Sequence, residues 1–214
     1  MGERKAFGGK TIYGARVGIL ILETRFPRVP GDIGNALTWP FPVLYKVVRG
    51  ADHKAVILDK AKNILDLFAA AADELVAEGA DGITTSCGFL SMIQEGLRAR
   101  CPVPVAASSL MQASFVQRLL PPGKKVGIIT ESAKNLTEEH LAAAGAPLDT
   151  PVVGIEHGNE FVKNLAIQVK CHPTLDCVPY NLAPNGEIDA ANRQALRRIS
   201  MSGENTLLPS DNTV

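Results

Sequence analysis

The sequence has no excess of either charge: 22 basic residues balance 22 acidic ones in 214. That balance excludes the electrostatic footprint of a nucleic-acid binder, and of a chain drawn to an anionic membrane or an acidic partner. Long hydrophobic runs are also missing. The longest strongly apolar stretch near the start, Val17 to Leu22, is too short for a membrane span or a secretory signal core, so the cytoplasm is the expected compartment. Cysteines number only four and have no paired CxxC spacing, which excludes a disulfide framework or a zinc site and leaves reduced thiols as the expectation. Cys171-His172 with Cys177 lacks the spacing of a metal site, so no metal is expected. The remaining composition, 46% hydrophobic and 21% charged, is that of a globular chain long enough for one sizeable core or two small ones. The expected partners are small molecules or a second copy of the chain in a homodimer, with no nucleic acid and no membrane.

The chain alternates between two hydrophobic periods. Arg16 to Leu22 reads as a continuous apolar run suited to a strand covered on both faces, and Pro42 to Val48 reads as a second strand. Lys60 to Glu78 has helical spacing through Ile64, Leu65, Phe68, Ala72, Leu75 and Val76, and Gly79 closes it. Gly82 to Thr85 is predicted as a strand, Phe89 to Arg98 as a helix, Val103 to Ala107 as a strand and Leu110 to Leu120 as a helix. Pro121-Pro122-Gly123 is the strongest break in the chain. After it come a strand at Lys125 to Ile129, a helix at Thr137 to Ala144 with a threonine cap, and a strand at Val152 to Ile155. Weaker helical spacing recurs at Glu160 to Val169 and Ile188 to Ile199. This order predicts an α/β fold with mostly parallel sheets, divided into residues 1–120 and 121–214.

Two places in this pattern could carry chemistry. Cys87 falls on the turn between a strand and the following helix, where ligands bind in parallel sheets and where unpaired helix amides face the turn. Such a position would depress the thiol pKa and make Cys87 a base or nucleophile, with the Thr85 and Ser86 hydroxyls placed to hold an anion. The alternative is a small buried apolar residue, with Ser86 capping a helix. The loop from Thr24 to Pro42 is broken by prolines and glycines. There Asn35, Thr38 and two arginines could contact a carboxylate, or the loop is shaped simply by a turn at Pro30-Gly31-Asp32 with Trp39 as packing.

The run Thr85-Ser86-Cys87-Gly88-Phe89-Leu90 resembles the aspartate/glutamate racemase superfamily, which includes hydantoin racemases, maleate isomerases and arylmalonate decarboxylases. Arg25 to Asn35, Pro104 to Leu110, Leu119 to Gly123 and Leu136 to Leu141 extend the likeness, which covers about Val17 to Asp176. The resemblance implies two similar three-layer, flavodoxin-like α/β halves facing a cleft, each carrying one active-site cysteine. It maps Cys87 to the first cysteine, and Asn35, Thr85, Ser86, Gly88 and Thr130 to the substrate pocket. It implies no organic cofactor. The implied activity is racemisation or epimerisation of an amino acid or related small carboxylate, with Cys87 as a thiolate acid/base. Inverting a carbon requires groups on both of its faces, hence two cysteines. After Asp176 the helix, the cysteine-bearing strand and the closing helix of that family are not recognisable. Cys177, followed closely by Pro179, is a poor substitute for the second base, so the second half is expected to be incomplete. Single-cysteine decarboxylation, cis-trans isomerisation of a small dicarboxylate, and an inactive ligand-binding remnant are the alternatives.

Overall fold

Five apolar residues and Gly18, Val17–Leu22, form the strand around which the first sheet is built, and all but Val17 are buried. In the computed structural model of the chain, residues 14, 16–25, 28, 30–52, 56 and 64–156 are described. The elements in order are β1 (Val17–Leu22), β2 (Val43–Val48), α1 (Leu65–Ala77), β3 (Gly82–Thr85), α2 (Gln94–Arg100), β4 (Val105–Ala106), α3 (Gln112–Leu119), β5 (Ile128–Thr130), α4 (Glu138–Ala143) and β6 (Val152–Gly154). The first four strands form one sheet in the order β2-β1-β3-β4, and β5 pairs with β6 in a second. All pairings are parallel, as the buried strand runs alternating with helices require. The chain is therefore α/β with parallel sheets. The expected lead-in at 1–13, the helix start before Ile64, the helices expected beyond His157, and Cys171, His172 and Cys177 lie outside the described residues.

The helix before the site packs tightly on the sheet. Along α1, Phe68, Ala71, Ala72 and Leu75 are buried against it, and a side chain at Gly18 on β1 would come within 2.7 Å of Ile83, 3.0 Å of Leu75 and 3.2 Å of Ala80. Glycine at this position lets helix and sheet approach closely. Gly79, with φ of 96°, ends α1 in the left-handed region as the sequence indicates. Buried apolar residues from both sheets, from Leu20 and Phe68 through Ile128 to Leu141, form a single continuous cluster. Phe89 and the fully buried His140 of α4 meet edge to face with ring centroids 5.3 Å apart, so the segment after Cys87 rests on α4. Thr137 caps α4 and shares a box with His140: its N–H donates to His140 Nδ1 at 3.2 Å.

Two helices begin later than their hydrophobic spacing indicates. A 3-10 stretch, Gly88–Ile93, precedes α2, and another, Ser109–Met111, precedes α3. Phe89, Leu90 and Ile93 are buried along the first of these, so their apolar positions serve a tighter turn rather than an α-helix. The corresponding strands β4 and β5 are also shorter than the runs Val103 to Ala107 and Lys125 to Ile129.

Candidate active site

Cys87 stands one residue beyond Ser86 at the carboxyl end of β3, beside β1, in the centre of the first sheet. Ser86 continues the pairing past the end of the strand: its N–H donates to Leu20 at 3.0 Å, and its hydroxyl accepts from the Leu22 N–H at 3.2 Å. The thiol opens into a cavity of about 620 Å³ lined by Ser86, Gly88, Ser109 and Gln112 on its polar side and by Trp39 and Phe115 among its apolar walls. That volume suits a small organic ligand.

The electrostatics differ from the sequence expectation. The backbone amides of Phe89 and Leu90 favour the thiolate, as does the charge of Arg28. Burial outweighs them and, together with the charge of Glu131, pushes the thiol from 9.0 up to about 12. The depressed pKa expected from a helix N-terminus is therefore not found, because desolvation costs the thiolate more than the amides of the 3-10 turn return. Alkylation of Cys87, followed by peptide mapping, is expected to accelerate about tenfold per pH unit from pH 7 to 10 without levelling, since the thiolate fraction rises tenfold per unit below the pKa. A plateau below pH 9 would contradict this. The linkage has a definite sign: the folded state holds the thiol proton more tightly than the unfolded chain. Cys87 thus contributes stability that is complete below 9.0 and is lost as pH rises towards about 12.

The five remaining residues taken from the resemblance are distributed unequally. Thr85 and Ser86 line the cavity with Cys87 and Gly88. Thr85 is buried, however, and its hydroxyl donates to the Ala107 carbonyl at 2.7 Å, so its proton is committed to the scaffold and not to an anion. The Ser86 hydroxyl accepts from Leu22 and, among the described residues, has no acceptor for its own proton. Gly88 lines the cavity, and an added Cβ there would make only ordinary contacts with the hydroxyls of Ser109 and Ser108 at 3.7 and 3.8 Å. Asn35 lies outside the lining, and both ends of its amide are occupied: Nδ2 donates to the Arg28 carbonyl at 2.6 Å and Oδ1 accepts from Leu37 N–H at 2.9 Å. Thr130, at the end of β5, also lies outside the lining.

The loop that brings Trp39 to the cavity is organised by Asp32, the last residue of the Pro30-Gly31-Asp32 run that the sequence marks as a turn. Its carboxylate accepts from Arg28 and from the Gly34 N–H, each at 2.7 Å, and its carbonyl accepts from Thr38 Oγ1 at 2.6 Å. Asp two residues before Gly is the signal for such an Asx turn. Thr38 and Arg28 thus serve this turn, as the second of the two sequence readings has it. Trp39 Nε1 and the Tyr45 hydroxyl both donate to the Ile33 carbonyl, at 3.1 and 3.0 Å, which fixes the indole. Ser109 and Gln112 are further polar residues that the sequence reading did not select. Their side chains line the cavity and have no hydrogen-bond partner among the described residues. The Ser108-Ser109 pair following β4 was the available signal.

No protein-family model matches the chain. Three curated relatives do. A dimethylsulfoniopropionate lyase of Durusdinium sp. clade D is 28% identical over 146 residues, covering 66% of this chain and 48% of its own length. Dimethylsulfoniopropionate lyases 7 and 3 of Emiliania huxleyi are 29% and 26% identical over 124 and 121 residues, each covering 56% of this chain and 36% and 32% of their own lengths. The chain spans about half the length of the first and about a third of the other two. Among solved structures, unliganded arylmalonate decarboxylase aligns with a TM-score of 0.40 at 14% identity, covering 66% of this chain and 62% of that one. Glutamate racemase from Campylobacter jejuni aligns with a TM-score of 0.43 at 16% identity, covering 89% of this chain and 80% of that one. Among the described residues no helix is long and apolar enough to cross a membrane, and no three His, Cys, Asp or Glu side chains gather as metal ligands.

Proposed function

We propose that the chain catalyses a β-elimination on a short carboxylate, removing a proton from the carbon next to the carboxylate with Cys87 as base and releasing a group from the adjacent carbon. Dimethylsulfoniopropionate, the compound named for the three relatives, belongs to this class. The proton passes to the Cys87 sulfur, its electron pair forms the C=C bond, and the C–S bond breaks with its electrons leaving on dimethyl sulfide, so acrylate is the second product. The observation that carries this reading is the thiol at the strand end, opening into the cavity under the amides of Phe89 and Leu90. Ser86, Ser109 and Gln112 offer donors to the carboxylate as negative charge builds on it.

One base suffices for an elimination because the leaving group, not a second proton, completes the reaction. Racemisation needs another group on the opposite face. Among the described residues the other thiol is Cys101, after the end of α2, and it does not line the cavity. The lyase names of the relatives favour the same choice. Incubating the purified chain with dimethylsulfoniopropionate should release dimethyl sulfide and acrylate in equal amounts. Absence of both, in a chain that binds the compound, would refute the reading.

The alternative is a two-base proton transfer, for which Glu131, just beyond β5, is the acid whose charge acts on the sulfur, although it does not line the cavity. Exchange of an amino acid's α-hydrogen in D₂O with inversion, lost in Glu131→Gln, would support this alternative. Exchange without inversion would count against it.

A further inference from the structure

Resting on the elimination reading, we propose that Trp39 and Phe115 form an onium subsite, selecting carboxylates that carry a sulfonium or quaternary ammonium group over neutral molecules of the same shape. Both rings line the cavity with Cys87. The indole is anchored at its Nε1 and pinned to a loop that Asp32 holds together, so its orientation is set before a ligand arrives. Phe115, on α3, remains 67% exposed, a large aromatic surface left uncovered at the cavity's edge. No Asp, Glu, Lys or Arg among the described residues lines the cavity. Direct contact with a cation there falls to ring faces, which bind alkylated onium groups without the strong hydration a carboxylate would retain, while Glu131 acts only from outside the lining.

The arrangement divides the cavity by chemistry. Aromatic rings, with Ile33 and Met111, suit a methylated cationic head, while Ser86, Ser109 and Gln112 suit a carboxylate. An onium group bound near the sulfur would add its positive charge to that of Arg28 in favour of the thiolate. Ligand binding would then help form the base.

The test compares two isosteres that differ in charge, 3-(trimethylammonio)propionate and 4,4-dimethylpentanoate, by calorimetry and by protection of Cys87 from alkylation. The cationic compound should bind about 3- to 30-fold more tightly, the range cation–π contacts allow between exposed and desolvated sites. Phe115→Leu, at an exposed helix position, and Trp39→Leu, checked by circular dichroism for an intact fold, should each move this ratio towards one while neutral binding stays nearly constant. Equal affinities in the native chain, or a ratio unchanged in both variants, would overturn the proposal. Dimethyl sulfide release is a separate readout. Charge preference without release refutes the elimination alone, and release without charge preference refutes the onium subsite alone.

Discussion

Cys87→Ser is expected to lower the rate of dimethyl sulfide release about 10²- to 10⁴-fold, the contribution of a positioned general base. Serine nearly reproduces the size of cysteine at a half-buried position, so stability should change by less than about 1 kcal/mol. The hydroxyl is a far weaker acid than the thiol, and the same burial opposes its ionisation. Rate measured alongside a urea unfolding curve separates lost chemistry from lost structure. A variant that unfolds normally and retains more than about a tenth of the rate would remove Cys87 from the proposed role. The pH dependence of the native chain is part of the same expectation. With the thiol at about 12, kcat/KM should climb through the alkaline range instead of levelling near neutrality.

Gln94→Leu is expected to cost about 2–6 kcal/mol of stability. Gln94 is buried, and its amide does the work of a missing neighbour for β4: Nε2 donates to the Val105 carbonyl at 3.1 Å and Oε1 accepts from the Ala107 N–H at 2.7 Å. Leucine fills the space but leaves a buried N–H and a buried carbonyl without partners, at about 1–3 kcal/mol each. The urea midpoint should fall by about 1 M or more. An unchanged midpoint would mean that the backbone finds other partners. Gln94→Glu should cost less, because it still accepts from Ala107. The effect extends to the site: Ala107 is held at its N–H by Gln94 and at its carbonyl by Thr85, and the Ser108-Ser109 turn follows directly. Ser108 in turn donates to the Gly88 carbonyl at 2.6 Å, joining the turn after β4 to the one after β3.

These clamps mark where the sequence stopped being legible. The apolar run of β1 announces itself because it is buried along its length, β2 and β3 by their β-branched residues, and the glycine at 79 fixes the end of α1. The starts of α2 and α3 were misplaced because a 3-10 turn and an α-helix share apolar spacing over a few residues. Thr85 illustrates the limit at the site. A threonine next to a strand-end cysteine can hold an anion or brace a neighbouring strand, and only the position of Ala107 decides between the two. Asn35 is similar, with its amide consumed by its own loop. The thiol's environment was misjudged because amide donors can be counted along the chain, whereas desolvation depends on what the fold packs around the sulfur. Trp39 and Phe115 lie 76 positions apart on a loop and a helix, and nothing local to either residue signals that they share a cavity.

The central claim, that the Cys87 sulfur takes a proton from the carbon beside the carboxylate, is tested most directly by isotopic substitution. Dimethylsulfoniopropionate deuterated at that carbon, deuterated at the sulfonium-bearing carbon, or unlabelled would be compared in kcat/KM for the native chain and Cys87→Ser. Slower turnover only with the first label, and background rates for every compound in Cys87→Ser, is the result expected. Turnover indifferent to the first label but slowed by the second, or undiminished in Cys87→Ser, would contradict the account.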